Sequence, residues 1–167
     1  MATVHFELLE DVKDKGEPIP PLKATPGSVG FDLYSPRKEK VILKPGKSFT
    51  FKLGIILHFP DYSSYAQILS RSGLHCKHGI AVVGSGIIDP DFPGQLRCKI
   101  QNTGVKQYEI KRGSSIAQLV FFPNHRTELV PCGEREEAAL DHWKRKLQER
   151  TFSGFGSTGL QLEERKD

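Results

Sequence analysis

The sequence predicts an all-β fold, and three observations carry that reading. Apolar and polar residues alternate with period two through most of the chain, Gly/Pro turn clusters separate the alternating runs, and helical spacing shows in a single segment. Strict alternation places apolar side chains on one face of a sheet. Val4, Phe6 and Leu8 alternate with Thr3, His5 and Glu7. Phe49, Phe51 and Leu53 alternate with Ser48, Thr50 and Lys52, and Leu96, Cys98 and Ile100 with Arg97, Lys99 and Gln101. These runs read as half-buried strands. The clusters "KPGK" at 44–47, "FPDYSS" at 59–64, "DPDFPG" at 89–94 and "NTG" at 102–104 read as the turns between them. Many short strands joined in this way point to a β-sandwich or barrel.

The exception lies late in the chain. Leu140, Trp143 and Leu147 recur at helical spacing among charged residues, which predicts one amphipathic helix over about 135–149. Glycines return after Phe152 and end it. The expected organisation is therefore a β domain over residues 1–148 and a glycine-rich C-terminal arm over 149–167.

Composition narrows the class of protein. With 167 residues, 37% hydrophobic and 26% charged, the chain suits one soluble domain with a proper core. No apolar run approaches the roughly 18 residues of a spanning helix, and the N-terminus lacks a signal peptide's apolar stretch. The expectation is an intracellular protein, cytoplasmic or nuclear, neither secreted nor held in a membrane. Cys76, Cys98 and Cys132 are odd in number and scattered, which argues against a disulfide framework. "HCKH" at 75–78 has no second cluster to complete a zinc site. The net charge of +4 is mild, and its "KRK" cluster at 144–146 sits among acids, as on a solvated helix face. Nucleic acid is not the expected partner; a small anion fits the charge equally well.

Five stretches carry chemistry. "LSRSGL" at 69–74 offers a guanidinium, a hydroxyl and backbone amides, a set that suits a phosphate oxygen or an ordinary polar turn. "GSGIIDPDFPG" at 84–94 brings Asp89 out at a turn, either as an Asx-type cap or as a positioned general base. "RGSSIAQLVFF" at 112–122 sets Gln118 in an apolar strand, where its amide needs partners, usually backbone groups. "GSVGFDLYS" at 27–35 puts Asp32 between Phe31 and Leu33, where an inward carboxylate calls for an arginine that the sequence does not name. "RTFSGFGSTGL" at 150–160 looks like a phosphate cradle, yet Leu160 stands where a P-loop needs Lys-Ser or Lys-Thr.

In this order, "GFDLYS", "RSGL", "GIIDPDFPG", "IAQLVF" and "GFGSTG" resemble the five motifs of the homotrimeric dUTPases (deoxyuridine triphosphate pyrophosphatases). The linking "KHGIAVVGSG" at 77–86 resembles the family's uracil-reading β-hairpin. The resemblance runs from about residue 4 to residue 160. It implies a β jelly roll, or β-clip barrel, assembled as a trimer with three shared sites. It also implies hydrolysis of dUTP to dUMP and pyrophosphate, which limits uracil incorporation into DNA and supplies dUMP for dTMP synthesis. Asp89 would be the general base that activates water for attack on the α-phosphorus. Arg71, Ser72 and Gly73 would contact the phosphates, and Gln118 the α-phosphate and the water. Asp32 would support them electrostatically.

Uracil would meet backbone groups across 81–88, including Gly86, Ile87 and Ile88, and the ring of Phe155. Phe92 would lie against the deoxyribose, and Arg97 counts with the substrate contacts. Arg150 would cover the γ-phosphate, with Gly156, Ser157 and Thr158 completing the arm. Mg²⁺ would be held through the triphosphate rather than by protein side chains.

The chain departs from the family's usual pattern in places. Phe92 replaces a tyrosine, Ser70 a common proline, and Ser114-Ser115 an acid-arginine pair; the segment before the last motif is also longer. The related dCTP deaminases carry a glutamate ten residues after the turn aspartate. Here Lys99 holds that position and cannot shuttle the proton. Some viral relatives have lost catalysis and act as adaptors, but every motif survives here. The charged ending "EERKD" also does not suit an apolar PDZ pocket.

Overall fold

The computed structural model describes residues 3–10, 16–84, 86–125 and 127–129. The chain divides into two units, residues 1–126 and 127–167, and the fold below is that of the first. In order come β1 (His5–Leu8), β2 (Phe31–Tyr34), β3 (Val41–Leu43), β4 (Ser48–Lys52), β5 (Ile55–His58) and β6 (Ser64–Leu69). Then follow α1 (Ser72–His78), β7 (Ile80–Val82), β8 (Ile87–Ile88), β9 (Arg97–Asn102), β10 (Tyr108–Ile110) and β11 (Ser115–Pro123).

All ladders are antiparallel. One sheet runs β2-β11-β6-β8 and a second β4-β9-β7, with the pairs β1-β5 and β3-β10 beside them. The all-β expectation holds, although no closed barrel is found among the described residues. The predicted helix over 135–149 and the arm over 149–167 lie outside the described residues.

Alternation works as the sequence implies in the two central runs. Phe51, Leu96, Cys98 and Ile100 are buried, while Thr50, Arg97 and Lys99 are exposed. Burial pushes the Cys98 thiol up to about 12, so it behaves as a small apolar side chain. The turn clusters also appear where expected. Lys47 N–H donates to Lys44 O, Ser63 N–H to Asp61 Oδ1 and Phe92 N–H to Asp89 O.

Three expectations need correction. Strand β1 forms, but all four of its residues are exposed, and among the described residues it pairs only with β5. A helix occupies Ser72–His78, where a turn at a strand end was expected. Its seven residues have no side-chain N-cap and no first-turn acid, so it carried none of the usual start signals. The hairpin expected over 77–86 is not one ladder: β7 pairs with β9, whereas β8 pairs with β6. That segment crosses from one sheet to the other.

Asn102 ties these pieces together from a fully buried position. Its Nδ2 donates to Leu43 O at 2.8 Å and Lys106 O at 2.7 Å, and its Oδ1 accepts from Gly104 N–H at 2.9 Å. The neighbouring Thr103 N–H donates to Gly79 O, which anchors the left-handed end of α1. One side-chain amide thus joins β3 to the 103–106 turn, and the next backbone N–H ties on the helix exit. Asn102→Ala leaves two carbonyls and one N–H unpaired and should cost about 2–4 kcal/mol, read from chemical denaturation.

On the β3-β10 pair, a hydrogen bond from Lys40 and a second from Lys111 hold the Glu109 carboxyl below its usual 4.5. A carboxylate held low stabilises the fold above that value, and the gain is lost as pH falls through the folded pKa. The small stability gap between wild type and Glu109→Gln should therefore narrow below about pH 4.5 in pH-stepped thermal melts.

Candidate functional site

The site begins with the register of β11. Gln118 lies opposite Asp32 of β2 on one side and Leu69 of β6 on the other. Neighbouring strands stand about 4.8 Å apart, and directly opposed residues share a face. The chain leaves β6 through Ser70 and delivers Arg71 at the start of α1. Arg71 Nε then meets Asp32 Oδ1 at 3.0 Å, with the Asp32 side chain only 14% exposed. Arg71 is thus the partner that Asp32 required. Gln118 Nε2 donates to Ser70 O at 3.0 Å, the backbone satisfaction expected of it.

These residues line a cleft of about 790 Å³ together with Ser72 and Gly73. The first amides of α1 have no partner within the helix. Guanidinium, hydroxyl, side-chain amide and backbone N–H groups therefore share one concavity. Gly30 lines it too, because a Cβ there would stand 2.8 Å from Gln118 Oε1. Lys77, His78 and Tyr108 complete its rim, the last two with ring centroids 4.8 Å apart. Sequence reading did not select these three; the only signal for Lys77 and His78 was the "HCKH" stretch.

Other predicted residues lie elsewhere. Ile88 faces Ala66 and Ile87 faces Gln67, and continuing that register by one residue sets Asp89 level with Tyr65. At about 3.3 Å per residue, the six residues from Tyr65 to Arg71 span about 20 Å. The same chain therefore holds Asp89 far from its own Arg71. Asp89 is exposed, and no described residue bonds or ion-pairs with its carboxylate, so the Asx-cap alternative is not realised. Phe92, 42% exposed, lies over Gly94, where an added Cβ would meet the ring at 2.7 Å. Ile88 is buried while Ile87 faces outward. Gly86 holds φ 62°, and a Cβ there would stand 2.5 Å from Ile68 O, so only glycine fits. Arg97 is exposed opposite Lys52, away from the cleft. Arg150, Phe155, Gly156, Ser157 and Thr158 lie outside the described residues.

Comparison with known proteins places the chain. The sequence profile of dUTPase matches residues 17–159. A deoxyuridine 5'-triphosphate nucleotidohydrolase from Serratia proteamaculans is 36% identical over 161 residues, covering 95% of this chain and 98% of that protein. A glycine-to-serine mutant of the Staphylococcus bacteriophage 80alpha dUTPase, solved with dUpNHpp, superposes with TM-score 0.70 and 25% identity. That match covers 95% of this chain and 99% of the other. The fold is shared as well by a mutant dUTPase from phage phi11 of S. aureus, described with a structural Mg(II) ion (TM-score 0.67, 23% identity, 80% and 99% covered).

Gly30→Ala tests the cleft floor directly. The added methyl group should displace the Gln118 amide, so that its side-chain amide protons shift and exchange faster in NMR spectra. The melting point should move by less than about 4 °C, equivalent to about 1 kcal/mol in a chain of this length.

Proposed function

The chain belongs to the dUTPase family, and we propose that it hydrolyses dUTP to dUMP and pyrophosphate at sites completed between copies of itself. The division of the motifs carries this reading. Arg71, Ser72, Gly73 and Gln118 line one cleft, whereas Asp89 of the same chain stands about 20 Å away by strand register. A general base works within hydrogen-bond reach of its water. The cleft of one copy therefore takes Asp89 from another. A trimer with three shared sites satisfies this need, and the exposed Phe6 and Leu8 of β1 offer apolar surface for such an assembly.

In the reaction, water oriented by Asp89 attacks the α-phosphorus in line. A new O–P bond forms as the bond from that phosphorus to the bridging oxygen breaks. The water's proton passes to Asp89, and pyrophosphate leaves with the bonding electron pair. Arg71, Ser72 and the Gly73 amide donate to phosphate oxygens, where charge accumulates, while Gln118 holds the α-phosphate and the water. Asp32 keeps the Arg71 guanidinium aimed.

The donor set fits a metal that arrives on the triphosphate. Asp32 is the one carboxylate among the described residues of the cleft, it is taken by Arg71, and no cluster of three metal-ligating side chains occurs among the described residues. Mg²⁺ carried by the triphosphate would supply further neutralisation of the leaving group. Backbone groups over 81–88 read the uracil edge, Phe92 lies against the deoxyribose, and Phe155 and Arg150 of the arm cover base and γ-phosphate. Fixed donors and acceptors reject cytosine more strongly than a wall rejects one methyl group.

Purified protein with Mg²⁺ should release dUMP and pyrophosphate from dUTP, and leave dCTP, dTTP and UTP intact. Turnover of none of them, or ammonia from dCTP, would sink the reading. Asp89→Asn should cut turnover at least about a hundredfold, and Arg71→Ala should also be severely impaired. Refolded as an equal mixture, the two variants should recover about a quarter of wild-type activity, the fraction of sites with both groups intact under random assembly. No recovery would mean that each chain builds its own site.

A further inference from the structure

Ser70 is the residue at which three of the functional stretches meet, and neither the phosphate chemistry nor the base-reading contacts accounts for its hydroxyl. Its backbone carbonyl receives the Gln118 amide at 3.0 Å, its peptide leads into Arg71, and its Oγ accepts the Val82 N–H at 2.8 Å. The last bond crosses between sheets. On either side of β7, Gly79 O accepts from Thr103 N–H and Val83 N–H donates to Lys99 O of β9, so the alternate Val82 N–H points away from β9. A partly buried edge donor needs a partner. Serine supplies one; the proline common at this position would have none to offer.

A second tie lies close by. Ile68 N–H donates to Gly86 O at 2.8 Å, and Gly86 packs against Ile68 so tightly that a Cβ would stand 2.5 Å from its carbonyl oxygen. The 82–86 stretch is thus clipped to 68–70 at both ends, with left-handed glycines at Gly84 and Gly86. Without the Ser70 clip, the stretch would hang from β9 at one end and from Ile68 at the other.

We propose that Ser70 is a positioning residue for base recognition: through the Oγ–Val82 bond it holds the segment over 81–88 in the shape that reads uracil. This rests on the reading of that segment given above. Because Asp89 follows the segment directly, the hydroxyl acts in the site served by its own chain's Asp89, not in the cleft lined by its own Arg71. Its carbonyl, which holds Gln118, survives any side-chain change. The phosphate side and the base side therefore respond differently to substitution.

The test compares Ser70→Ala and Ser70→Thr in the full chain. Ser70→Ala should raise KM for dUTP about three- to tenfold, the range for one lost hydrogen bond, with kcat within about twofold, the pattern of lost uniform binding. It should narrow the preference for dUTP over dCTP and speed hydrogen exchange at the Val82 amide. Ser70→Thr, which keeps the hydroxyl, should restore all three. In mixed assemblies of Asp89→Asn and Arg71→Ala chains, Ser70→Ala should raise KM only on the chain that supplies Asp89. Unchanged Val82 exchange, a fall in kcat at constant KM, or an equal effect from the chain that supplies Arg71 overturns the proposal. A wild-type protein that turns over no nucleotide would instead overturn the assigned reaction, and exchange at Val82 would then decide the clip alone.

Discussion

The geometry of the cleft depends on the register of β11 between β2 and β6. Gln118 is paired to Asp32 on one side and Leu69 on the other, so a row about 10 Å across carries the first, second and fourth functional stretches. That register is not the one in which the strand begins. Ser115 pairs with Tyr34, and a bulge before Ala117 then shifts the count by one. Without the extra residue, Gln118 would fall opposite Phe31. Side chains alternate between faces at every residue, so the bulge decides which neighbours the amide meets. The Arg71–Asp32 contact closes over the result.

The same strand order keeps Asp89 away. β8 pairs with β6 in the opposite direction, so the chain that delivers Arg71 at one end of β6 delivers Asp89 toward the other. Under the proposed reaction, a site that needs both is not assembled by one copy of this sheet, and assembly becomes part of catalysis rather than an addition to it. Features that look like flaws in a single chain become useful: an exposed β1, an outward Ile87 and a half-exposed Phe92 ring. The cleft is lined by donors with one acid already paired, which suits a polyanion that brings its own cation.

Much of this was legible in the linear sequence. The alternation around Phe51 and Cys98 named the buried face correctly, because period-two burial is a local property of an extended chain. The turn clusters were legible because Gly, Pro, Asn and Asp act within a few residues. The need of Asp32 for an arginine was legible as chemistry, but its identity was not: Asp32 and Arg71 are 39 positions apart and meet only through two ladders. Helix α1 was missed since its brief run of seven residues lacks a cap and an acidic first turn. The 77–86 stretch read as one hairpin because nothing local in it says that its two arms join different sheets.

By itself, the sequence determined the fold class, the faces of the central strands and the set of reactive groups, since each follows from residue type at short spacing. Only the tertiary structure decided which of those groups meet. Strand order and the β11 bulge gathered Asp32, Arg71, Ser72, Gly73 and Gln118 into one cleft, carried Asp89 elsewhere, and set the Ser70 hydroxyl on a backbone donor of another sheet. The reason is physical: pairing between strands remote in sequence is set by packing and hydrogen bonding of the whole sheet, which no short window of residues contains.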